Sequence, residues 1–178
     1  MGAYLLIFAA VLSRVVVMPH LHWLNFTAVG GSLLYFGARR PLREAALPVL
    51  AMMASDYCLT VFGYGYSWHT SAYLITWVWY AAVLVLGRIL LSRQMSVSRV
   101  LGAPVIASTS FFLVSNYAVW VGSVMYPHTL SGLTACYVAA LPFYRNDALS
   151  TILVTALAFG LPVLARRMAE QRAQKLAA

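Results

Sequence analysis

The sequence predicts an all-α, polytopic membrane helix bundle of six transmembrane helices in one domain. Three observations carry that expectation. First, 62% of the 178 residues are hydrophobic and only 9% are charged, with a mean hydropathy of +0.81, well outside the composition of soluble domains. Second, the apolar residues fall into runs near the roughly 20 residues that an α-helical span requires. Third, ten of the twelve Lys and Arg side chains fall in three patches, Arg39–Arg43, Arg88–Arg99 and Arg166–Lys175, and these patches occupy every second connection.

The expected spans, in order, are about 2–18, 24–38, 45–63, 71–91, 99–121 and 147–166. The first lacks a basic leading segment and a small-x-small cleavage site, so it reads as a retained span rather than a signal peptide. The second carries Gly30-Gly31-Ser32, and the first Ala9 and Ser13, small residues that let helices approach closely. Before the last span the stretch Thr129–Tyr144, ending Leu141-Pro142-Phe143, is apolar but short and interrupted by small residues. A short interfacial or re-entrant helix near 129–144 is expected there.

Counting Lys and Arg by connection gives the orientation. The loop at 19–23 has none, 39–44 has three, 64–70 none, 88–99 three, 122–146 only Arg145, and the tail 166–178 has four. The positive-inside rule then places both termini in the cytoplasm, with the chain multi-pass in a bacterial cytoplasmic (inner) membrane. The same rule accounts for the pI near 9.9 and leaves no role for nucleic acid, whose basic patches need exposed polar surface. The lipid bilayer is the expected partner, and anionic headgroups suit the basic end.

All four histidines, His20, His22, His69 and His128, fall in the arginine-poor connections. Trp23, Tyr64, Tyr66, Trp68 and Tyr126 lie in or beside the same connections, and Ser115, Asn116 and Trp120 fall in the outer third of the fifth span, on the same side. Half of this aromatic set is accounted for by an interfacial belt. Trp77, Trp79 and Tyr80 sit deeper in the fourth span than a belt requires, and with Asn116 they suit a flat organic ligand. Arg14 and Asp56 are the formal charges placed well within spans, at a cost of roughly 3 kcal/mol or more each on insertion scales. Either they pair and lock the first span to the third, or they line an outward-facing cavity where Asp56 binds a cation or amino group.

The expected ligand-binding residues are Asp56 as polar anchor, Asn116 as hydrogen-bond reader, and Trp120 and Trp68 as stacking walls, with His22 closing from its loop and Arg14 nearby. A transition metal on His20, His22, His69 or His128 is the weaker expectation, because His-x-His alone is a poor signal and no Cys or acid joins it. Cys58 and Cys136 read as small buried residues with free thiols, a disulfide being the alternative. No nucleophile elbow, phosphate loop, zinc-protease helix or carboxylate pair is present, so no catalytic residue and no cofactor is assigned and an enzyme is not expected.

Several stretches carry a family resemblance. Pro19-His20 through Asn25-Phe26-Thr27-Ala28, then Ser55-Asp56, Phe111–Trp120, Tyr126–Leu133, Cys136-Tyr137 and Leu141-Pro142-Phe143 resemble an uncharacterised family of small bacterial membrane proteins described as transport proteins. In size and topology the chain is also similar to the substrate-binding S components of energy-coupling-factor (ECF) transporters. That likeness implies capture of a vitamin-like solute or a metal near the outer face, and an ATP-binding energy-coupling module as partner on the cytoplasmic face. Where those proteins often show Ala-x-x-x-Ala for docking, this chain has Ala9-x-x-x-Ser13. The rival expectations are a non-catalytic accessory subunit of a larger membrane complex and an enzyme acting on lipid at the outer interface through His20, His22 and His128.

Overall fold

The computed structural model describes residues 1–17, 25–93 and 96–177. Six α-helices follow in order: α1 Gly2–Val17, α2 Val29–Arg39, α3 Ala46–Cys58, α4 Leu74–Leu91, α5 Val97–Gly122 and α6 Leu130–Ala177. A 3₁₀ turn at Leu42–Glu44 leads into α3, a π-helical turn at Leu59–Gly63 extends it, and a second 3₁₀ turn at Thr70–Tyr73 leads into α4. No strand occurs among the described residues. Four stretches are long and apolar enough to cross a membrane: Leu42–Gly63, Thr70–Leu91, Val97–Gly122 and Leu130–Lys175. The chain is therefore an all-α protein with the build of a membrane protein.

Two of the expected elements differ. The second span, expected over 24–38, is a helix only from Val29 to Arg39, about 16 Å long and so about half the hydrocarbon thickness. Its start is delayed because Asn25 takes a left-handed turn (φ 61°), and the Ala28 N–H that follows is capped from α1 by Ser13 Oγ at 3.0 Å. Its end is set by Pro41, which holds Arg40 in an extended conformation. The helix is nevertheless the centre of the bundle, with Val29 to Leu34 and Phe36 to Ala38 all buried.

The second difference is α6. The expected short helix near 129–144 and the expected span 147–166 are one continuous helix, Leu130–Ala177. Thr129 Oγ1 caps its start by accepting from the Gly132 N–H at 3.2 Å. Pro142 lies inside it without breaking it, and Arg145, Asn146 and Asp147 are helical rather than a connection. Proline is tolerated in such helices because neighbouring side chains and small local adjustments satisfy the freed carbonyl.

Packing is set by small residues rather than by apolar burial, since lipid is as apolar as a leucine side chain. At the crossing of α2 and α4, a Cβ built on Gly37 would stand 1.9 Å from the Leu84 carbonyl oxygen, and one on Gly87 would stand 2.2 Å from that of Leu34. The two glycines let the backbones touch on both sides of Leu34 and Leu84, which are fully buried. On its other side α2 meets α6, with Gly30 against Thr151 and Gly31 against Val154 and Thr155. Around this core the outer faces are apolar and exposed, including Leu5, Phe8, Val78, Ile89, Ile106 and Leu157, as lipid contact requires.

The ends of the helices sort by charge. Met1, Arg39, Arg40, Phe159 and Arg166 border one cavity, and Val97 and Arg167 border its neighbour. Arg40 clamps Glu44 through both carboxylate oxygens at 2.7 and 2.9 Å, and Tyr4 of α1 donates to the same carboxylate. The helices thus run alternately away from and towards a common basic end.

Candidate functional site

The deep polar residues meet where α1, α3 and α4 cross. Arg14 on α1 pairs with Asp56 on α3 at 2.5 Å, and its other terminal nitrogen donates to Ser55 Oγ. Trp77 Nε1 donates to the second carboxylate oxygen of Asp56 at 2.9 Å, and the Tyr80 hydroxyl donates to the first at 3.4 Å. Asp56, only 2% exposed, is thereby neutralised by one cation and held by two further donors. The π-helical turn just beyond it adds Thr60, whose Oγ1 donates to the Asp56 carbonyl at 2.7 Å and shares a hydrogen bond with the Tyr73 hydroxyl at 2.6 Å. Wide turns of this kind are frequent at functional sites.

Two abutting cavities open beside this pair. The first, about 260 Å³, is bordered by Arg14, Val29, Asp56, Tyr80, Phe111 and Asp147 among others, so that each of the six helices contributes to its wall. The second, about 300 Å³, lies between α5 and α6 and shares Asn25, Phe111 and Asp147 with the first. Its wall is aromatic through Phe111, Phe112, Phe143 and Tyr144, and polar through Ser108 and Asn116. Because α2 starts late, its N-terminal end abuts the first cavity, with Thr27 and Val29 in the wall.

Asp147 differs from Asp56 in every respect but chemistry. Its Oδ2 is buried with no hydrogen-bond partner among the described residues, and so is Ser108 Oγ in the same wall. The Arg14–Asp56 and Arg40–Glu44 ion pairs both leave Asp147 out. An ionisable group inside a membrane bundle with no counter-ion among the described residues is costly and commonly functional.

The residues expected from the sequence divide into three groups. Arg14, Asp56 and Asn116 line the cavities, with Asn116 Nδ2 donating to the Phe112 carbonyl at 2.7 Å. Trp68 and Trp120 stand outside both walls. Trp68 stacks on Tyr73 at 4.5 Å with 10° between planes and meets Trp77 at 6.1 Å, so it covers the aromatic column above Asp56. The Trp120 indole donates to the Pro127 carbonyl at 3.0 Å and packs edge-on to His128 at 5.4 Å. His20, His22 and Trp23 lie outside the described residues. Among the described residues no group of three or more His, Cys, Asp or Glu side chains is arranged to hold a metal ion. Cys58 and Cys136 are free thiols, the first exposed and the second buried.

The family model described as a family of unknown function (DUF6580) matches residues 1–174. The chain belongs to that family. No curated protein and no solved structure matches the chain. The site of this DUF6580 protein therefore rests on its own side chains.

Asp147 does not stand out in the sequence. Arg145-Asn146-Asp147 looks like a polar connection, and a carboxylate at the edge of an expected span carries no cost that would draw attention. The available signal was periodicity: Asp147, Thr151 and Thr155 recur every fourth residue, which on a helix is one stripe. Thr151 and Thr155 are fully buried on that stripe. Asn25, with its left-handed backbone, lies in the wall of both cavities, a placement that nothing in the sequence pattern signals.

Proposed function

We propose that this DUF6580 protein binds a small solute inside the membrane and acts as the capture subunit of a transporter in the bacterial cytoplasmic membrane. The observation that carries the reading is the pair of abutting, half-open cavities, bordered between them by all six helices, with a carboxylate oxygen of Asp147 in the shared wall that has no partner among the described residues. A helix bundle selected only for packing would fill that space with small apolar side chains. A cavity of this size with aromatic walls and a few placed polar groups is the usual form of a small-molecule site.

Orientation follows from the arginines. With the basic end in the cytoplasm, Asp56 lies 14 residues beyond Leu42, about 21 Å along the helix and past the midplane of a hydrocarbon core about 30 Å thick. The solute would therefore be captured from the outer side, and an ATP-binding energy-coupling module would dock on the cytoplasmic end, as in ECF transporters. The accessory-subunit reading has an observation of its own in the apolar groove between α5 and α6 at the basic end, bordered by Val100, Leu101, Ala156 and Val163.

The test is retention of solute. Protein purified from membranes into nanodiscs should release a small molecule on denaturation in near-stoichiometric amount, measured by mass spectrometry. Ser115→Trp, which fills the larger cavity from its wall, should release none while keeping the same helix content. A wild-type protein that carries no solute, or a variant that keeps it, would sink the reading. A co-purifying ATPase favours the capture role, and a stable partner that is not an ATPase favours the accessory role.

A further inference from the structure

The charges around the two cavities do not balance, and the imbalance names a class of solute. Arg14 borders the smaller cavity but is committed to Asp56, which it meets at 2.5 Å. Asp147 borders both cavities, and its Oδ2 has no partner among the described residues. Formal addition of Arg14, Asp56 and Asp147 gives one negative charge left over in the bundle interior. An anionic solute would meet that charge at close range in a low-dielectric space, where repulsion is strong.

The rest of the wall says what kind of cation fits. A hard metal ion wants six or more oxygen ligands, and the larger cavity offers one carboxylate and a few hydroxyl and amide groups among aromatic rings. Ser108 Oγ, in a residue only 1% exposed, is the second polar atom of that wall with no partner among the described residues. Beside these two stand Phe111, Phe112 and Tyr144, rings whose faces attract ammonium groups and stack against flat apolar bodies. A carboxylate and a hydroxyl backed by aromatic rings is a recognition set for an organic ammonium.

Resting on the capture reading above, we propose that the solute is a small organic cation, an amine with an aromatic or compact apolar body. Its ammonium group is held by Asp147 with Ser108, and its body lies along Phe111, Phe112 and Tyr144. Asp147, rather than the better-placed-looking Asp56, is then the residue that reads the charge. Asp56 positions Arg14, Trp77 and Tyr80 and holds the wall of the smaller cavity in shape.

The probes are phenethylamine, phenylpropanol and phenylpropionate, which keep one body and change only the charge. Titrated into the full chain in nanodiscs and followed by calorimetry, the ammonium should bind and the alcohol and carboxylate should not. Asp147→Asn should weaken the ammonium by about tenfold or more, and its unliganded melting midpoint should not fall, which shows that the loss is not misfolding. Equal binding of the alcohol or the carboxylate, or full ammonium affinity in Asp147→Asn, overturns the cation assignment. No binding of any probe to a wild-type protein that does release a co-purified solute overturns the assignment and leaves the capture reading standing. If no solute is released either, both fall.

Discussion

Asp56 and Asp147 are carboxylates in the interior of one bundle, held in opposite ways. Asp56 accepts from Arg14, Trp77 and Tyr80, so removing its charge strands a guanidinium that is itself only 17% exposed. Breaking a buried ion pair from one side costs about 3–5 kcal/mol. Asp56→Asn should therefore lower the unfolding free energy by that order in a denaturant titration of the protein in mixed micelles. Asp147→Asn removes a charge whose Oδ2 has no partner and should leave stability unchanged or raise it. Equal destabilisation by the two variants would mean that Asp147 has a structural partner and would remove the asymmetry on which the site rests. Asp56 was legible in the sequence because a lone acid in a long apolar run is expensive wherever it points. Asp147 was not, because its cost appears only once the helix is known to run through it.

At the scale of elements, helix identity was legible and helix length was not. The spans at 45–63, 71–91 and 99–121 have their counterparts in α3 with its π-helical turn, α4 with its 3₁₀ turn, and α5, because hydropathy and length agree there. α2 falls short since its polar and glycine-rich start is satisfied by other helices instead of by lipid. α6 runs long since the polar triplet divides around the helix, with Asp147 at a cavity and Arg145 exposed. The reciprocal contact of α2 and α4 is the element-level constraint with the clearest consequence. Gly87→Ala places a methyl 2.2 Å from the Leu34 carbonyl oxygen, a backbone atom that cannot move without shifting the helix. Overpacking of this kind costs about 1–3 kcal/mol. Gly160 on α6 has nothing within 4 Å of a built Cβ, so Gly160→Ala should gain up to about 1 kcal/mol from helix propensity alone. Opposite signs for the two variants in one unfolding assay are expected, and a neutral Gly87→Ala would show that the helices are further apart.

At the scale of the whole molecule, the alternation of arginines does two things. It brings Arg39, Arg40, Arg166 and Arg167 to one end of the bundle, and it leaves Asp56, Asn116 and the deep tryptophans displaced towards the other. An orientation signal requires only the first. The second follows if the half of the bundle that faces outwards is the half that binds, because a capture site must be reached from outside while the basic half stays closed. The orientation itself can be tested with the two native cysteines replaced by serine. Ser67→Cys lies in the exposed loop between α3 and α4, and Gln171→Cys on the exposed end of α6. With the basic end in the cytoplasm, a membrane-impermeant maleimide applied to intact cells should label Ser67→Cys at once and Gln171→Cys only after permeabilisation. The reverse pattern would turn the bundle over, put the cavities on the cytoplasmic half, and convert a capture site into a release or export site built from the same residues.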